Sequence, residues 1–352
     1  MNMKLEIGNR YIGNDNPVFI IAELSANHLQ DFDLAAKTIT AMKEAGADAV
    51  KLQTYTPDTL TIDCDNEYFR IKQGTLWNGR TLYQLYKEAY TPWEWQPELK
   101  KFAEDLGLIF FSSPFDKTSV DFLERMNVPA YKVASFEITD IPLIEYIASR
   151  GKPVIISTGI ATLSDIEEAV NACKRAGNNQ IALLKCTSEY PALLEDVNVR
   201  TIPNLKETFN VVVGLSDHTL GIEVPLAAVS LGARIIEKHF TIDRELGGPD
   251  SAFSLEPAEF REMVTSIRNV EKALGEIKYE LSDRIVKSRD FSRSLFVVTD
   301  MKAEDIFTEI NIKSIRPGFG LHPKYLRKIM GKKAIVDIKK GTPLDWNLIK
   351  WI

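Results

Sequence analysis

VFIIAELSANHLQDFDLAAKTITAMKEAGADAVKLQT (residues 18–54) decides the fold. It opens on a β-branched run, VFIIAEL (18–24), continues into the amphipathic DLAAKTITAMKEAG (33–46), and returns to a second run, AVKLQT (49–54). Short apolar runs with polar ends read as buried strands. The 3.6-residue periodicity between them reads as a helix, and the glycine as its stop. Outward from this unit the alternation recurs in IFFSSP (109–114), YKVAS (131–135), PVIISTG (153–159), IALLKC (181–186), VVVGLSD (211–217) and RIIEKHF (234–240). Amphipathic segments such as KTSVDFLERMN, SDIEEAVNACKRAG and EVPLAAVSLGA lie between the runs. Eight strand–helix units over roughly 250 residues predict an α/β protein built on a closed (β/α)8 TIM barrel. An open doubly wound sheet shares the alternation, but it more often has fewer strands and a GxGxxG turn, which this chain lacks.

Two segments break the rhythm. Asp58–Pro92 is too long for one loop and helix and is rich in aromatics, as expected of an insertion on the binding face. After about Leu281 the alternation stops, and SLFVVTDMKAEDIFTEINIKSIRPGFGLHP (294–323) reads as short strands and turns. The expected layout is a barrel over 1–280, a linker over 281–290 and a small domain over 291–352. From Asp290 onward there are 12 Lys+Arg against 7 Asp+Glu, so a basic module follows an acidic barrel. Charge alone does not decide between a cover for an anionic ligand and a solvated surface.

The 352 residues are 45% hydrophobic and 26% charged, which suits a soluble globular protein and excludes collagenous and disordered classes. A net charge of −6 speaks against a general nucleic-acid binder. No apolar run approaches the ~18 residues of a spanning helix, and no signal peptide is apparent at the N-terminus. Cys64, Cys173 and Cys186 form no framework or CxxC pair, so a reducing, cytoplasmic setting is expected.

In a (β/α)8 enzyme the chemistry sits at the C-terminal strand ends. There this chain carries Glu23, Lys51, Gln53, Ser112, Ser113, Lys132, Ser135, Glu137, Ser157, Thr158, Thr187, Ser188, Ser216, His218, Glu237 and His239. An inert barrel has little reason to bring so much charge to one mouth, because unpaired buried charge is expensive. Two of the four histidines, His218 and His239, end adjacent strands about 4.8 Å apart, and with Glu23 opposite they suit a divalent cation, Mn²⁺ or Mg²⁺, better than structural Zn²⁺. A single strand-end histidine would instead read as an acid/base or hydrogen-bonding group. Lys51 and Lys132 fit an anion clamp with Ser113, Ser135, Ser157 and Ser216; a Schiff-base lyase lysine is the rival and would want an apolar setting. Cys186 reads as a small buried hydrophobe with no base near it in sequence, and His28 as a loop-ordering residue.

IAELSANH (21–28), KLQTYTPD (51–58), FSSPFD (111–116), YKVASFE (131–137), STGIAT (157–162), KCTSEYP (185–191), GLSDHTLG (214–221) and IEKHFTIDR (236–244) run in order along the chain. Together they resemble the sialic acid synthase family, transferases that condense phosphoenolpyruvate with an amino-sugar aldehyde. The C-terminal segment resembles the antifreeze-like (SAF) domain attached to those barrels. SANH, QTYTPD, SAFSLEPAEF and RPGFGLHPKY are similar to the pseudaminate-forming branch, where the sialate branch has GINH and an Asn in place of Ser188. The resemblance implies that phosphoenolpyruvate and 2,4-diacetamido-2,4,6-trideoxy-L-altrose give pseudaminate and inorganic phosphate by C–C bond formation with C–O cleavage; N-acetylneuraminate or legionaminate synthesis is the alternative. It implies a metal on His218 and His239, and phosphoenolpyruvate on Lys51, Ser113, Lys132, Ser135, Ser157, Ser188 and Ser216. Glu23, Gln53, Glu137, Tyr190, Glu237 and Asp250 would surround sugar, metal and reacting carbons, with Glu23 deprotonating the attacking water. Arg316 would reach an N-acetyl group, delivered in family members by the partner subunit of a domain-swapped homodimer.

Overall fold

The computed structural model describes residues 4–13, 16–72 and 77–351. Contacts divide the chain into two compact units, Met1–Gly275 and Glu276–Ile352.

The first unit begins with a hairpin, β1 (Lys4–Ile7) and β2 (Arg10–Gly13). Eight parallel strands then close into a barrel: β3 (Phe19–Glu23), β4 (Ala49–Thr54), β5 (Ile109–Pro114), β6 (Tyr131–Val133), β7 (Val154–Ser157), β8 (Ile181–Cys186), β9 (Val212–Asp217) and β10 (Ile235–His239), with β10 pairing back to β3. These are the eight runs expected from the sequence. Helix α1 (Phe32–Glu44) joins β3 to β4; its N-cap Asp31 accepts from Leu34 N–H, which satisfies one of the open donors of its first turn. The 58–92 insertion contains the short α2 (Pro57–Leu60) and α3 (Leu82–Ala89), after which α4 (Gln96–Asp105) leads into β5. The remaining outer helices are α5 (Lys117–Arg125), α6 (Ile141–Ala148), α7 (Leu163–Arg175), α8 (Thr201–Phe209), α9 (Glu223–Ser230) and α10 (Pro257–Leu274).

Strands buried on both faces need continuous apolar runs, and β3, β7 and β10 are buried at every position. One apolar core unites strands, helices and the hairpin residues Leu5, Ile7 and Ile12. The hairpin, not foreseen in the polar N-terminal sequence, packs at the N-terminal end of the barrel. Arg10 Nη1 there lies 2.8 Å from Asp48 Oδ1, just before β4. Gly214 sits where a Cβ would come within 2.4 Å of the Ile235 carbonyl, so β9 can approach β10 only without a side chain there.

The second unit has its own core of Leu295, Val297, Met301, Phe307, Ile312, Ile329, Leu344 and Ile349. Its strands are short and antiparallel: β11 (Ser294–Val297) with β12 (Ile312–Ile315), and β13 (Lys333–Ala334) with β14 (Ile349–Lys350). Residues 281–293, which include a helix over Asp283–Ser288, are exposed. Among the described residues no helix is long and apolar enough to cross a membrane.

Candidate active site

Parallel registry sets the site. Glu23 is level with both His239 and Lys51, and Ser216 is level with both Cys186 and Glu237. Residues far apart in sequence therefore meet above the apolar layers, at the C-terminal strand ends around a cavity of about 700 Å³. Its wall includes Lys51, Gln53, Lys132, Ser135, Glu137, Ser157, Tyr190, Ser216, His218, Glu237, His239 and Asp250, all expected from the sequence.

At the cavity floor two buried ammonium groups face one carboxylate. Lys51 Nζ is 3.7 Å and Lys132 Nζ 3.8 Å from Glu237 Oε1, which also accepts from Ser216 Oγ at 3.2 Å. Burial alone would raise the Glu237 carboxyl, but Lys132 and Lys51 hold it below its ordinary value. Lys132 donates to Ser157 Oγ at 2.6 Å; burial pulls its pKa down, and the charge of Lys51 adds to that pull. Lys51 also pairs closely with Glu23 and donates to Ser113 Oγ at 3.4 Å. Burial pushes Glu23 up to about 7 against the attraction of Lys51.

Three expected residues stand behind the wall. Glu23 is fully buried beneath Lys51, and its second oxygen accepts from Ser25 N–H at 3.1 Å. Its other oxygen meets Lys51 as an ion pair, and Glu23 forms no three-residue ligand group with the histidines among the described residues. Ser113 backs Lys51 in the same way. Ser188 touches the cavity through Ser135, donating to its Oγ at 2.7 Å, while Ile160 N–H donates to Ser135 from the other side. Gly159 makes this packing possible, since a Cβ there would fall 2.1 Å from Ser188 Oγ. Arg316 belongs to the second unit, exposed, immediately after β12.

His218 and His239 lie with ring centroids 5.3 Å apart. His218 Nδ1 is 2.9 Å from the Thr187 carbonyl, a contact that places the proton on Nδ1 and leaves Nε2 with a lone pair. His239 is held neutral, its pKa well below the ordinary value through burial and then the neighbouring positive charges. Its Nδ1 is buried with no hydrogen-bond partner among the described residues. Burial would lower the His218 pKa, but the Cys186 sulfur and the Thr187 carbonyl raise it. The unmatched ring nitrogen of neutral His239, with the Nε2 edge of His218 beside it, fits a divalent cation, although no group of three or more His, Cys, Asp or Glu forms a ready-made cage among the described residues. Tyr190 and Phe253 wall the pair in, with Tyr190 4.5 Å from the His218 ring and Phe253 4.9 Å from that of His239.

Sequence reasoning missed several wall residues. Ser25, Tyr55, Trp77 and Phe115 from loops, Tyr86 from α3 and Phe136 from a short 3-10 turn line the cavity, where no strand-end rule selects them. Cys186 is buried as expected, with polar neighbours that the sequence does not show: its Sγ lies 3.9 Å from His218 Nδ1 and 3.8 Å from Ser188 Oγ. Burial favours its thiol form, but His218 and Lys132 bring its pKa below the ordinary value. No histidine is near it in sequence; the pairing of β8 with β9 brings the positive charge of His218 beside it. His28 ties its loop to the insertion, Nε2 meeting Thr91 Oγ1 at 3.1 Å.

The NeuB family profile matches residues 38–279, most of the barrel. The chain belongs to the NeuB family. The SAF domain profile matches residues 292–350, within the second unit. Relatives of this NeuB chain include the pseudaminic acid synthase of Campylobacter jejuni, 49% identical over 97% of this chain and 98% of that one. The N,N'-diacetyllegionaminic acid synthase of Legionella pneumophila is 37% identical over 96% of each. The crystal structure of N-acetylneuraminic acid synthetase from Leptospira borgpetersenii superposes with a TM-score of 0.73 at 36% identity, covering 82% of this chain and 95% of that one. NeuB membership is that of an enzyme family, and it agrees with a mouth in which charge and acceptors converge on one cavity.

Proposed function

We propose that this NeuB enzyme is a pseudaminic acid synthase, condensing phosphoenolpyruvate with 2,4-diacetamido-2,4,6-trideoxy-L-altrose. The observation that carries the reading is the floor of the cavity, where Lys51 and Lys132 flank Glu237 beneath the His218–His239 pair. Identity separates the sugar branches in the same direction, 49% to the pseudaminate relative against 37% to the legionaminate one.

The two ammonium groups, with Ser135, Ser157 and Ser216, would bind the phosphate and carboxylate of phosphoenolpyruvate. Ser113 and Ser188 would support them from behind. His218 and His239 would hold Mn²⁺ or Mg²⁺, which supplies electrophilic polarisation of the sugar aldehyde. C3 of phosphoenolpyruvate then attacks the aldehyde carbon, leaving C2 to take up water; the tetrahedral product expels phosphate by C–O cleavage. Proton transfer needs a wall carboxyl tuned near neutrality. Burial raises Glu137 to about 7, and its Oε2 has no partner among the described residues. Glu137 is therefore preferred over Glu23 as the base toward water, and Glu23 sets the charge of Lys51 instead. Gln53, Tyr190 and Asp250 would hold the sugar. Arg316 is assigned to an acetamido group on the family resemblance, entering from a second copy of the chain. Mixing inactive Arg316→Ala and Lys132→Ala proteins should then restore activity by subunit exchange; no recovery from stable mixed dimers would remove that assignment.

The deciding experiment is phosphate release from phosphoenolpyruvate with Mn²⁺, comparing the trideoxy diacetamido sugar with N-acetylmannosamine, with and without chelator. Chelator-sensitive release with the trideoxy sugar alone is expected. Release with N-acetylmannosamine would move the assignment to sialate, and release insensitive to chelator would remove the metal.

A further inference from the structure

We infer that Ser25 is a specificity-positioning residue, whose hydroxyl directs Gln53 and Asp250 at the amide N–H groups of the diacetamido sugar; the inference rests on the reading of the site given above. Ser25 has φ +47°, in the left-handed region that glycine adopts freely and serine adopts at a cost. A glycine would make the turn after β3 without strain, so the turn itself does not call for a side chain here. What the side chain adds is a hydrogen-bond relay. Ser25 Oγ donates to Asp250 Oδ2 in a short contact and accepts from Gln53 Nε2 at 2.9 Å.

All three residues line the cavity, and Ser25 is 3% exposed. The backbone of the Asp250 loop is already fixed without Ser25. Asn27 Nδ2 donates to Ser254 Oγ and to the Phe240 carbonyl, each at 2.9 Å, and Ser254 Oγ donates to the Asp250 carbonyl at 2.7 Å. Trp77 Nε1 donates to the Pro249 carbonyl at 3.1 Å. Ser25 thus acts on side chains, not on the course of the loop. With Gln53 Nε2 and Asp250 Oδ2 committed to it, Gln53 Oε1 and Asp250 Oδ1 remain as acceptors on the cavity wall. Two fixed acceptors recognise two N–H donors, and a 2,4-diacetamido sugar carries two where N-acetylmannosamine carries one. A site built to hydrogen-bond a donor rejects the analogue lacking it, because its own buried polar group is then left unpaired.

Ser25→Gly removes the hydroxyl and relieves the backbone; Ser25→Ala removes the hydroxyl and keeps the strain. Both should raise KM for the diacetamido sugar by about tenfold, the loss of one or two oriented hydrogen bonds, with KM for phosphoenolpyruvate within twofold. Ser25→Gly should melt no lower than the wild type. Unchanged sugar KM in Ser25→Gly would overturn the proposal, as would a rise confined to Ser25→Ala or an equal rise in KM for phosphoenolpyruvate. Failure of the wild type to turn over the diacetamido sugar would instead remove the functional reading, and this inference with it.

Discussion

At the N-terminal end of the barrel Asp48 accepts from Arg10 at 2.8 Å, from Ile20 N–H at 2.9 Å and from Arg268 at 3.2 Å. Arg268 in turn holds the Val18 carbonyl and Glu271. At the C-terminal end Glu237 stands between two lysines with Oε2 unpartnered, Glu137 Oε2 and His239 Nδ1 likewise. Both ends cluster charge, yet the Asp48 network pairs its groups within the chain, while the cavity end keeps several carboxylate and ring acceptors unpaired. Buried polar groups left unmatched cost stability, so they persist where a ligand completes them. The difference separates a structural network from a site.

Substitutions should divide along the same line. The largest effect is expected of His239→Ala: turnover falls to background, and Mn²⁺ titrated by electron paramagnetic resonance no longer binds. Full activity of that variant in metal-free buffer would dissolve the contrast. Next comes Glu137→Gln, with an expected loss of roughly 10²–10⁴-fold in kcat/KM, as for a general base. As a base Glu137 works ionised, so wild-type kcat/KM should drop as pH falls through about 7. Glu23 titrates in the same range, and the variant should keep an acid limb one proton less steep. An unaltered limb would take the base role from Glu137. The smallest catalytic effect belongs to Asp48→Ala, which strips three hydrogen bonds from the other end. Denaturant unfolding should show a loss of about 2–3 kcal/mol, while kcat/KM stays within twofold. A large activity loss without destabilisation would mean that the two ends are not separable.

Much of the architecture was legible beforehand. A strand buried on both faces must be apolar along its length up to the polar residues at its C-terminal end, and a helix on its outside must repeat every 3.6 residues, so eight runs with eight amphipathic partners announce a barrel locally. The strand ends were legible because the barrel places them at one mouth whatever the loops do. The hairpin was not legible: Leu5, Ile7 and Ile12 alternate over too few residues to stand out among polar neighbours, and only the barrel end they cover makes them a core. The aromatic wall was foreseen as a binding insertion, but not which of its rings would reach the cavity.

By itself, then, the sequence determined the eight-strand alternation, the ring of Lys51, Lys132, Glu237, His218 and His239, and the separate basic module, all set by periodicity and position on an element. Tertiary structure alone decided that Glu23 lies beneath Lys51, that Cys186 meets His218, and that Ser25 links Gln53 to Asp250. Those facts depend on which side chains converge within hydrogen-bond reach after the barrel closes. Sequence spacing carries no information about such distances between residues 28 to 225 positions apart.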